Sequence, residues 1–380
     1  MISLSRNALI LKVGTNERVN LIGNTSLGKD VTLADLLSNY HAVLCTYGVA
    51  DDKLLNIPGE SRTGVVSARD LVSLYNGSPD SDMSMVKCLD TDTVAIIGVG
   101  NVALDVARLI LAPLDMLRET DVSDTWMEMR LKSRVKRVVI LGRRGPLNVS
   151  FTIKELREMT KLNDVQSILS PGDFEGVQEQ LGSLERPRKR LTDLMLKTLK
   201  TGLTPKCEKS WELKLWRTPV NIIGAEHVSG IQLCDTRDKQ VIETVDCGLI
   251  VRSVGYSSVK VDPDLPWDLT RHVVTNNDGR VDTCPGLYTA GWLATGPRGV
   301  IIDTMNMAFK VAANIVTDLS SQELETKPGM AGIKHKLDRS TSWQDWEKID
   351  AEEVRRGKEK GKYRDKIVSV DEMMKIINDN

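Results

Sequence analysis

The chain has 380 residues, of which 41% are hydrophobic and 27% are charged. This length exceeds what one hydrophobic core usually organises, so we expect two domains. The 51 basic residues balance the 52 acidic ones, and the formal charge of -1 excludes a global electrostatic bias towards nucleic acid or an anionic membrane.

Local composition restricts the class of protein further. The six cysteines lie far apart, with no CxxC pair and no Cys/His cluster at metal-ligand spacing, which indicates a reducing compartment and no protein-bound metal. No run of about 18 apolar residues occurs, so at most peripheral membrane contact is expected. Residues 1–16 contain Arg6 and Lys12 but no acid, a composition that suits either an organelle transit peptide or an ordinary N-terminal segment.

A strand, a helix and a second strand follow one another in the first half of the chain. Apolar runs predict strands at 93–98 and 137–142, and a helical pattern at 101–111 ends before Pro113. An earlier apolar run at 41–48 predicts a buried strand that ends in a glycine turn. The order strand, helix, strand predicts a βαβ unit with a parallel sheet.

The second half of the chain mixes helical and strand patterns. Helices are predicted at 153–159 and 191–199, and the second follows Pro187, a residue that suits a first helical turn. The remaining predicted elements are strands of a small sheet at 220–223, 230–233 and 248–254, a buried strand at 286–290, a helix at 299–316 and an exposed charged loop at 355–364.

The turn between the first strand and the helix of the βαβ unit is rich in glycine. Its sequence is Gly98-Val99-Gly100-Asn101-Val102-Ala103, which fits the GxGxxG/A pattern. In this pattern the first glycine permits a tight turn, the second lets the backbone approach a pyrophosphate, and the alanine allows close helix–strand packing. Free N–H groups and the positive end of the helix dipole then face the phosphates. The turn predicts a dinucleotide site, and the alternative is a glycine turn without a ligand.

Two arginines follow the second strand of this unit. Sites for NAD usually place an acid there to accept from the ribose 2′-hydroxyl, whereas this chain has Arg143 and Arg144 after Gly142. Two guanidinium groups suit a phosphate through bidentate, charge-assisted hydrogen bonds. The pair therefore predicts NADP(H), with an insertion after the first helix, and the alternative is a solvated strand end.

Several longer motifs occur in order along the chain. They are GNVALDVAR from Gly100, GRRGP from Gly142, FTIKELREM from Phe151, RPRKRLT from Arg186 and SWQDWEK from Ser342. Together they resemble the adrenodoxin reductase family of mitochondrial NADPH–ferredoxin reductases, from about Leu21 to the C-terminus. The resemblance implies an α/β fold with two dinucleotide-binding, Rossmann-like domains, of which 52–256 binds NADP and 1–51 with 257–380 binds FAD.

The resemblance also implies site residues. Contacts to NADP are expected at Val99, Gly100, Asn101, Val102, Arg143, Arg144, Glu155 and Gly299. Contacts to FAD are expected at Leu27, Trp292, Gly299, Val300 and Ile301, with Trp292 near the flavin ring. No catalytic acid, base or nucleophile is required, because hydride transfer relies on the flavin and on geometry. Arg186 and Arg190 lie four residues apart on one helix face, and the resemblance implies that they dock a small acidic 2Fe–2S ferredoxin.

One part of the family pattern is missing from the sequence. The family begins with a strand, a GxGxxG turn and a helix that hold the ADP half of FAD, but the glycines before His41 are only Gly14, Gly23 and Gly28, without that context. We therefore expect an FAD domain that lacks its first βαβ portion and binds FAD weakly. The sequence is either an incomplete or alternatively started version of a complete reductase, which the retained FAD-side residues favour, or a shortened protein.

The leading interpretation is a flavoprotein that transfers electrons from NADPH through FAD to an adrenodoxin-like ferredoxin, and so feeds haem monooxygenases or iron–sulfur assembly in the mitochondrial matrix. The reductase module of a glutamate synthase-like flavoprotein is a related alternative, disfavoured by the lack of cysteine clusters and by the stripe of Arg186 and Arg190. From a different class, the alternative is a non-catalytic NADP-binding or partner-binding protein without stable FAD. No nucleic-acid partner is expected.

Overall fold

The computed structural model describes residues 14, 16–201, 207–299, 301–321 and 323–379. The strands are β1 Val43–Cys45, β2 Asp51–Asp52, β3 Val65–Ser67, β4 Thr93–Ile97, β5 Arg137–Leu141, β6 Val165–Leu169, β7 Lys209–Lys214, β8 Arg217–Gly224, β9 Val228–Asp235, β10 Val241–Asp246, β11 Leu249–Arg252, β12 Tyr256–Ser257, β13 Trp267–Asp268, β14 Val273–Val274 and β15 Leu287–Thr289.

The α-helices are α1 Leu33–Asn39, α2 Ala68–Asn76, α3 Asn101–Leu111, α4 Leu114–Arg118, α5 Asp124–Lys132, α6 Ile153–Met159, α7 Val177–Gln180, α8 Arg186–Lys200, α9 Trp292–Thr295, α10 Ile301–Ser320, α11 Met330–Ile333, α12 Trp343–Glu359 and α13 Val370–Asn378. Within the described ranges, no helix is both long enough and apolar enough to span a membrane.

The chain divides into two compact units. The first contains residues 1–53 and 255–349, and the second contains residues 54–254 and 350–380. The sequence predicted that residues 350–380 belong to the first unit, whereas the structure places them in the second. Long-range ion pairs account for the difference, since Lys360 and Lys362 contact Asp124 at 2.7 and 2.8 Å.

A six-stranded parallel sheet organises the second unit. Its strand order is β3-β11-β4-β5-β7-β6, and all neighbouring strands are parallel. The predicted βαβ unit is confirmed as β4, α3 and β5, with the helix at the predicted residues. β4 and β5 are buried on both faces after their first residue, as expected for central strands of a parallel sheet.

The predicted small sheet is only partly correct. β8, β9 and β10 form an antiparallel three-stranded sheet, which includes the predicted runs at 220–223 and 230–233. The run predicted at 248–254 forms β11, which instead lies between β3 and β4 in the parallel sheet. Its Leu249, Ile250 and Val251 are fully buried, the pattern of a strand covered on both faces rather than of a half-exposed antiparallel strand.

The charged segment after residue 350 is more ordered than its composition indicates. The loop predicted at 355–364 is wrong in its first half, because α12 continues to Glu359. Arg355 pairs with Glu352 and Glu359 at helical spacings, and such pairs support a solvent-exposed helix. Gly357 permits tight packing of the following segment, since a Cβ there would lie 2.6 Å from the Cα of Arg364.

The first unit contains short strands and one long helix. β1 pairs with β15 in a parallel two-stranded sheet, so the predicted strands at 41–48 and 286–290 are confirmed in shortened form. The helix predicted at 299–316 is observed as α10, which ends four residues later. The buried apolar core of this unit includes Leu33, Val43, Leu287 and Leu293.

Candidate functional site

The glycine turn after β4 cannot accommodate a side chain at its first position. Gly98 has a left-handed φ of 127°, and a Cβ there would lie 2.1 Å from the carbonyl oxygen of Ser253. This close approach arises because β11 runs beside β4, where the amide of Ser253 donates to the carbonyl of Ile97 at 2.8 Å. The amide of Gly98 donates to the carbonyl of Leu141 on the other side at 2.8 Å. Parallel neighbours on both sides therefore fix the turn.

The second glycine of the turn faces open space. Gly100 is the N-cap of α3, makes no side-chain capping bond, and has no atom within 4 Å of a Cβ built on it. The first turn of α3 carries no acid, so its unpaired N–H groups retain an uncompensated positive partial charge. Ala103, one turn further, is fully buried against the core. These are the features that the backbone of a pyrophosphate site requires.

A second helix N-terminus is held beside the first. The amides of Ser150 and Phe151 donate to the carbonyl of Val99 at 2.9 and 3.1 Å, and the amide of Thr152 donates to Oδ1 of Asn101 at 2.7 Å. Thr152 is in turn the N-cap of α6. The side chain of Asn101 therefore joins the two helix starts, which leaves its backbone N–H as the group able to contact a phosphate.

The arginine pair lies at the carboxyl end of β5, in the same unit. Arg143 and Arg144 are both exposed. Nη2 of Arg144 donates to Oγ of Ser150 at 3.2 Å, and the carbonyl of Arg143 accepts from Oγ1 of Thr236 at 3.0 Å. β4 and β5 are parallel neighbours, so the glycine turn and the arginines lie at the same edge of the sheet. The structure therefore brings the predicted phosphate-binding groups together.

A tryptophan beneath the arginine pair was missed in the sequence. Trp216 has a left-handed φ of 58°, a rare conformation for a bulky residue. Its ring packs so closely on Gly145 that a Cβ at that glycine would lie 2.0 Å from the indole. The guanidinium of Arg237 lies 5.7 Å from the ring centroid and is itself paired with Asp235. The only sequence signal was the glycine that directly follows the two arginines.

Glu155 occupies the first turn of α6 and is half-buried. Burial raises the pKa of its carboxyl, and the nearby carboxylates of Glu158 and Asp105 raise it further. Arg108 pairs with Asp105 and, at 2.9 Å, with Glu158, so it links α3 to α6. The predicted contact of Glu155 with NADP remains a prediction.

The predicted FAD-side residues lie in the first unit. Gly291 caps the short helix α9, and a Cβ built on it would lie 3.6 Å from Thr304 in the first turn of α10. The ring of Trp292 stacks on Tyr256 with centroids 6.3 Å apart. Ile301 at the start of α10 is 63% exposed.

The other predicted residues of this group are Gly299, Leu27 and Val300. Gly299 has a left-handed φ of 79° just before α10. Leu27 packs, half-buried, on the core of the first unit. Val300 lies outside the described residues.

The predicted partner surface lies on α8, which begins at Arg186 rather than at residue 191. Arg186 and Arg190 are exposed and share one face of the helix. Arg188 between them is half-buried and points elsewhere: its Nη1 donates to the carbonyl of Val149 at 2.8 Å. The exposed stripe therefore consists of Arg186 and Arg190, and Arg188 is not part of it.

Known relatives match nearly the whole chain. It is 41% identical to the mitochondrial NADPH:adrenodoxin oxidoreductase of Rattus norvegicus over 95% of this chain and 78% of the relative. The proteins of that name from Drosophila melanogaster and Arabidopsis thaliana are 42% and 33% identical, over 96% of this chain and 80% and 82% of the relatives. The chain belongs to the NADPH:adrenodoxin oxidoreductase family. No protein-family model matches it.

The fold is also similar to that of solved oxidoreductase structures. FprA from Mycobacterium tuberculosis in complex with NADPH superimposes with a TM-score of 0.91 at 29% identity, over 98% of this chain and 87% of that one. A further FprA structure, with covalently modified NADP+, gives a TM-score of 0.90. The predicted α/β class with Rossmann-like domains is confirmed, and so is the predicted oxidoreductase class. The family depends on FAD and NADP, which confirms the two predicted cofactors.

Substitutions of the two glycines should separate the stability of the turn from its binding of NADP+. Gly98→Ala should lower the free energy of unfolding by about 2–4 kcal/mol, because its Cβ meets the carbonyl of Ser253. Gly100→Ala should change it by less than about 1 kcal/mol, since its Cβ enters open space. The same Cβ should weaken NADP+ binding by at least about tenfold, because it blocks the approach of the pyrophosphate to the backbone.

Urea unfolding and calorimetric titration with NADP+ measure the two quantities. Equal losses of stability in both variants, or unchanged NADP+ affinity in Gly100→Ala, would contradict this account of the turn.

Proposed function

We propose that this chain oxidises NADPH and passes the electrons through FAD to a small acidic 2Fe–2S ferredoxin of the adrenodoxin type in the mitochondrial matrix. The observation that carries the proposal is the joined pair of helix N-termini at the sheet edge where Arg143 and Arg144 lie. Family membership supports the same reaction, and the relatives are named as mitochondrial. Haem monooxygenases or iron–sulfur assembly would consume the reduced ferredoxin.

The pyrophosphate and the 2′-phosphate of NADP(H) have complementary groups in the second unit. The first-turn amides of α3, after Gly100, suit the pyrophosphate. Arg143 and Arg144 suit the 2′-phosphate of the adenosine half, a doubly charged group that NAD lacks. Trp216 under Gly145 fixes the backbone that carries the two arginines, so that the guanidinium groups start from a defined position. Glu155 is proposed to contact the same cofactor from the start of α6.

Two features of the first unit support a site for a flavin ring. At the start of α10, Ile301 and Ile302 are 63% and 56% exposed and lie at a helix N-terminus, which carries a positive partial charge. An isoalloxazine ring has a broad apolar face and a polar edge, so this combination fits it. FAD, when bound, supplies the chemistry by taking a hydride from NADPH and releasing electrons singly. Trp292 is proposed to shield the ring from water, and Gly299 to contact both cofactors.

The exposed pair on α8 is proposed as the docking site for the ferredoxin. Arg186 and Arg190 present two positive charges on one helix face without an ion pair to any described residue. Such charges attract an acidic partner and raise the association rate more than the final affinity. Because both side chains are exposed, the attraction should weaken as salt screens it.

The arginine pair predicts the preference for NADPH over NADH. The double variant Arg143→Ala with Arg144→Ala should lower kcat/KM for NADPH by about 100-fold or more, because it removes charge-assisted hydrogen bonds to the 2′-phosphate. kcat/KM for NADH should change by less than about threefold, because NADH has no phosphate there. Steady-state reduction of ferricyanide measures both values.

Arg157→Ala is the matched control, since Arg157 is an exposed cation on α6. An equal loss of kcat/KM with NADPH and with NADH would mean that the arginine pair does not bind the 2′-phosphate.

The docking proposal predicts a salt-dependent defect. Arg186→Glu with Arg190→Glu should lower kcat/KM for the ferredoxin by about 10- to 100-fold at low salt and flatten its salt dependence, because the attraction becomes a repulsion. The affinity for NADP+ should stay within about twofold, since neither side chain touches the phosphate-binding turn. Stopped-flow reduction of adrenodoxin at several ionic strengths measures the effect.

Lys197→Glu with Lys200→Glu is the matched control, because it reverses the same number of charges at the other end of α8. A loss of equal size in this control would indicate a general charge effect and contradict docking at Arg186 and Arg190.

A further inference from the structure

One helical turn of α8 carries arginines with different surroundings. Arg186 and Arg190 are exposed, whereas Arg188 is half-buried and donates through Nη1 to the carbonyl of Val149 at 2.8 Å. Val149 itself is 1% exposed, so this charge-assisted bond satisfies a carbonyl inside the protein. The carbonyl of Arg188 accepts from the buried Thr192 at 3.0 Å, which fixes the turn from which the guanidinium extends.

The segment that Arg188 holds is the one that joins the parts of the NADP(H) site. Directly after Val149, the amides of Ser150 and Phe151 donate to the carbonyl of Val99, and the amide of Thr152 donates to Asn101. The hydroxyl of Ser150 also accepts from Arg144. Residues 149–152 are neither helix nor strand, so their position depends on these contacts and on the hydrogen bond from Arg188 to Val149, which we call the Val149 anchor.

The consequence of losing the anchor follows from this arrangement. Without a donor from residue 188, the carbonyl of Val149 loses a charge-assisted partner in a buried position, and the chain there shifts to find another. A shift at Val149 passes directly to Ser150, which touches Arg144, and to Thr152, which caps α6. Groups that must meet a phosphate within a few tenths of an ångström tolerate little displacement.

We propose that Arg188 is a positioning residue for the NADP(H) site, acting through the carbonyl of Val149 without touching the cofactor. The inference rests on the proposed function, since it assigns a role in the same site. Arginines on one helical turn then have different roles. Arg186 and Arg190 face outward to the partner, and Arg188 faces inward to the segment 149–152.

The test compares Arg188→Met, Arg188→Lys and the control Lys197→Met. Met keeps an unbranched stem but no donor, Lys keeps a charged donor that can reach a single carbonyl, and Lys197 is an exposed cation on the same helix. Arg188→Met should raise the Kd for NADP+ and the KM for NADPH by about tenfold, with kcat and the KM for adrenodoxin within about twofold. Arg188→Lys should recover most of the affinity, and Lys197→Met should resemble the wild type.

Calorimetric titration with NADP+ and thermal melting accompany the kinetics. If Arg188→Met melts far below the wild type, Arg188→Gln replaces it, because glutamine is shorter by two bonds and should give the same rise in Kd. An unchanged Kd in the folded variants overturns the inference, and so does a rise in the KM for adrenodoxin alone. A wild type that does not bind NADP+ overturns the proposed function and this inference together, so the two failures are distinguishable.

Discussion

The hydrogen bonds from Ser150, Phe151 and Thr152 to Val99 and Asn101 are the contacts on which the proposed NADP(H) site depends. They hold the start of α6 beside the start of α3, so two sets of unpaired N–H groups lie close to one sheet edge. The two helix starts can lie together because β4 and β5 are parallel and end at that edge, where each strand is followed by a turn. Arg143 and Arg144, Trp216 and the helix α8 of the proposed docking surface are arranged around this junction.

The local part of the site was predictable from the sequence. The glycine turn, the limits of α3 and the arginine pair each depend on residues close together in the chain, and each is observed where it was predicted. Gly98 is an example. It contacts residues at the ends of the two strands beside β4, and a strand–turn–helix pattern already implies that a parallel sheet surrounds the turn.

Contacts between distant residues were not predictable in this way. The left-handed conformation of Trp216 follows from its packing on Gly145, and the position of β11 in the parallel sheet depends on partners far along the chain. The inward direction of Arg188 likewise depends on where Val149 lies, so the sequence showed only a run of basic residues. The helix that continues to Glu359 was missed because residues 355–359 are charged except for Gly357, so no apolar periodicity marks its end.

Electron transfer from NADPH through FAD to a ferredoxin can be followed in an anaerobic absorbance titration of the FAD-loaded protein. NADPH is added first and oxidised adrenodoxin second, with NADH in a parallel experiment. The flavin absorbance should bleach with NADPH, bleach far less with the same amount of NADH, and return when adrenodoxin is added. A flavin that stays oxidised while NADPH is bound, or that reoxidises no faster with adrenodoxin than without it, would show that the chain does not carry electrons from NADPH to a ferredoxin.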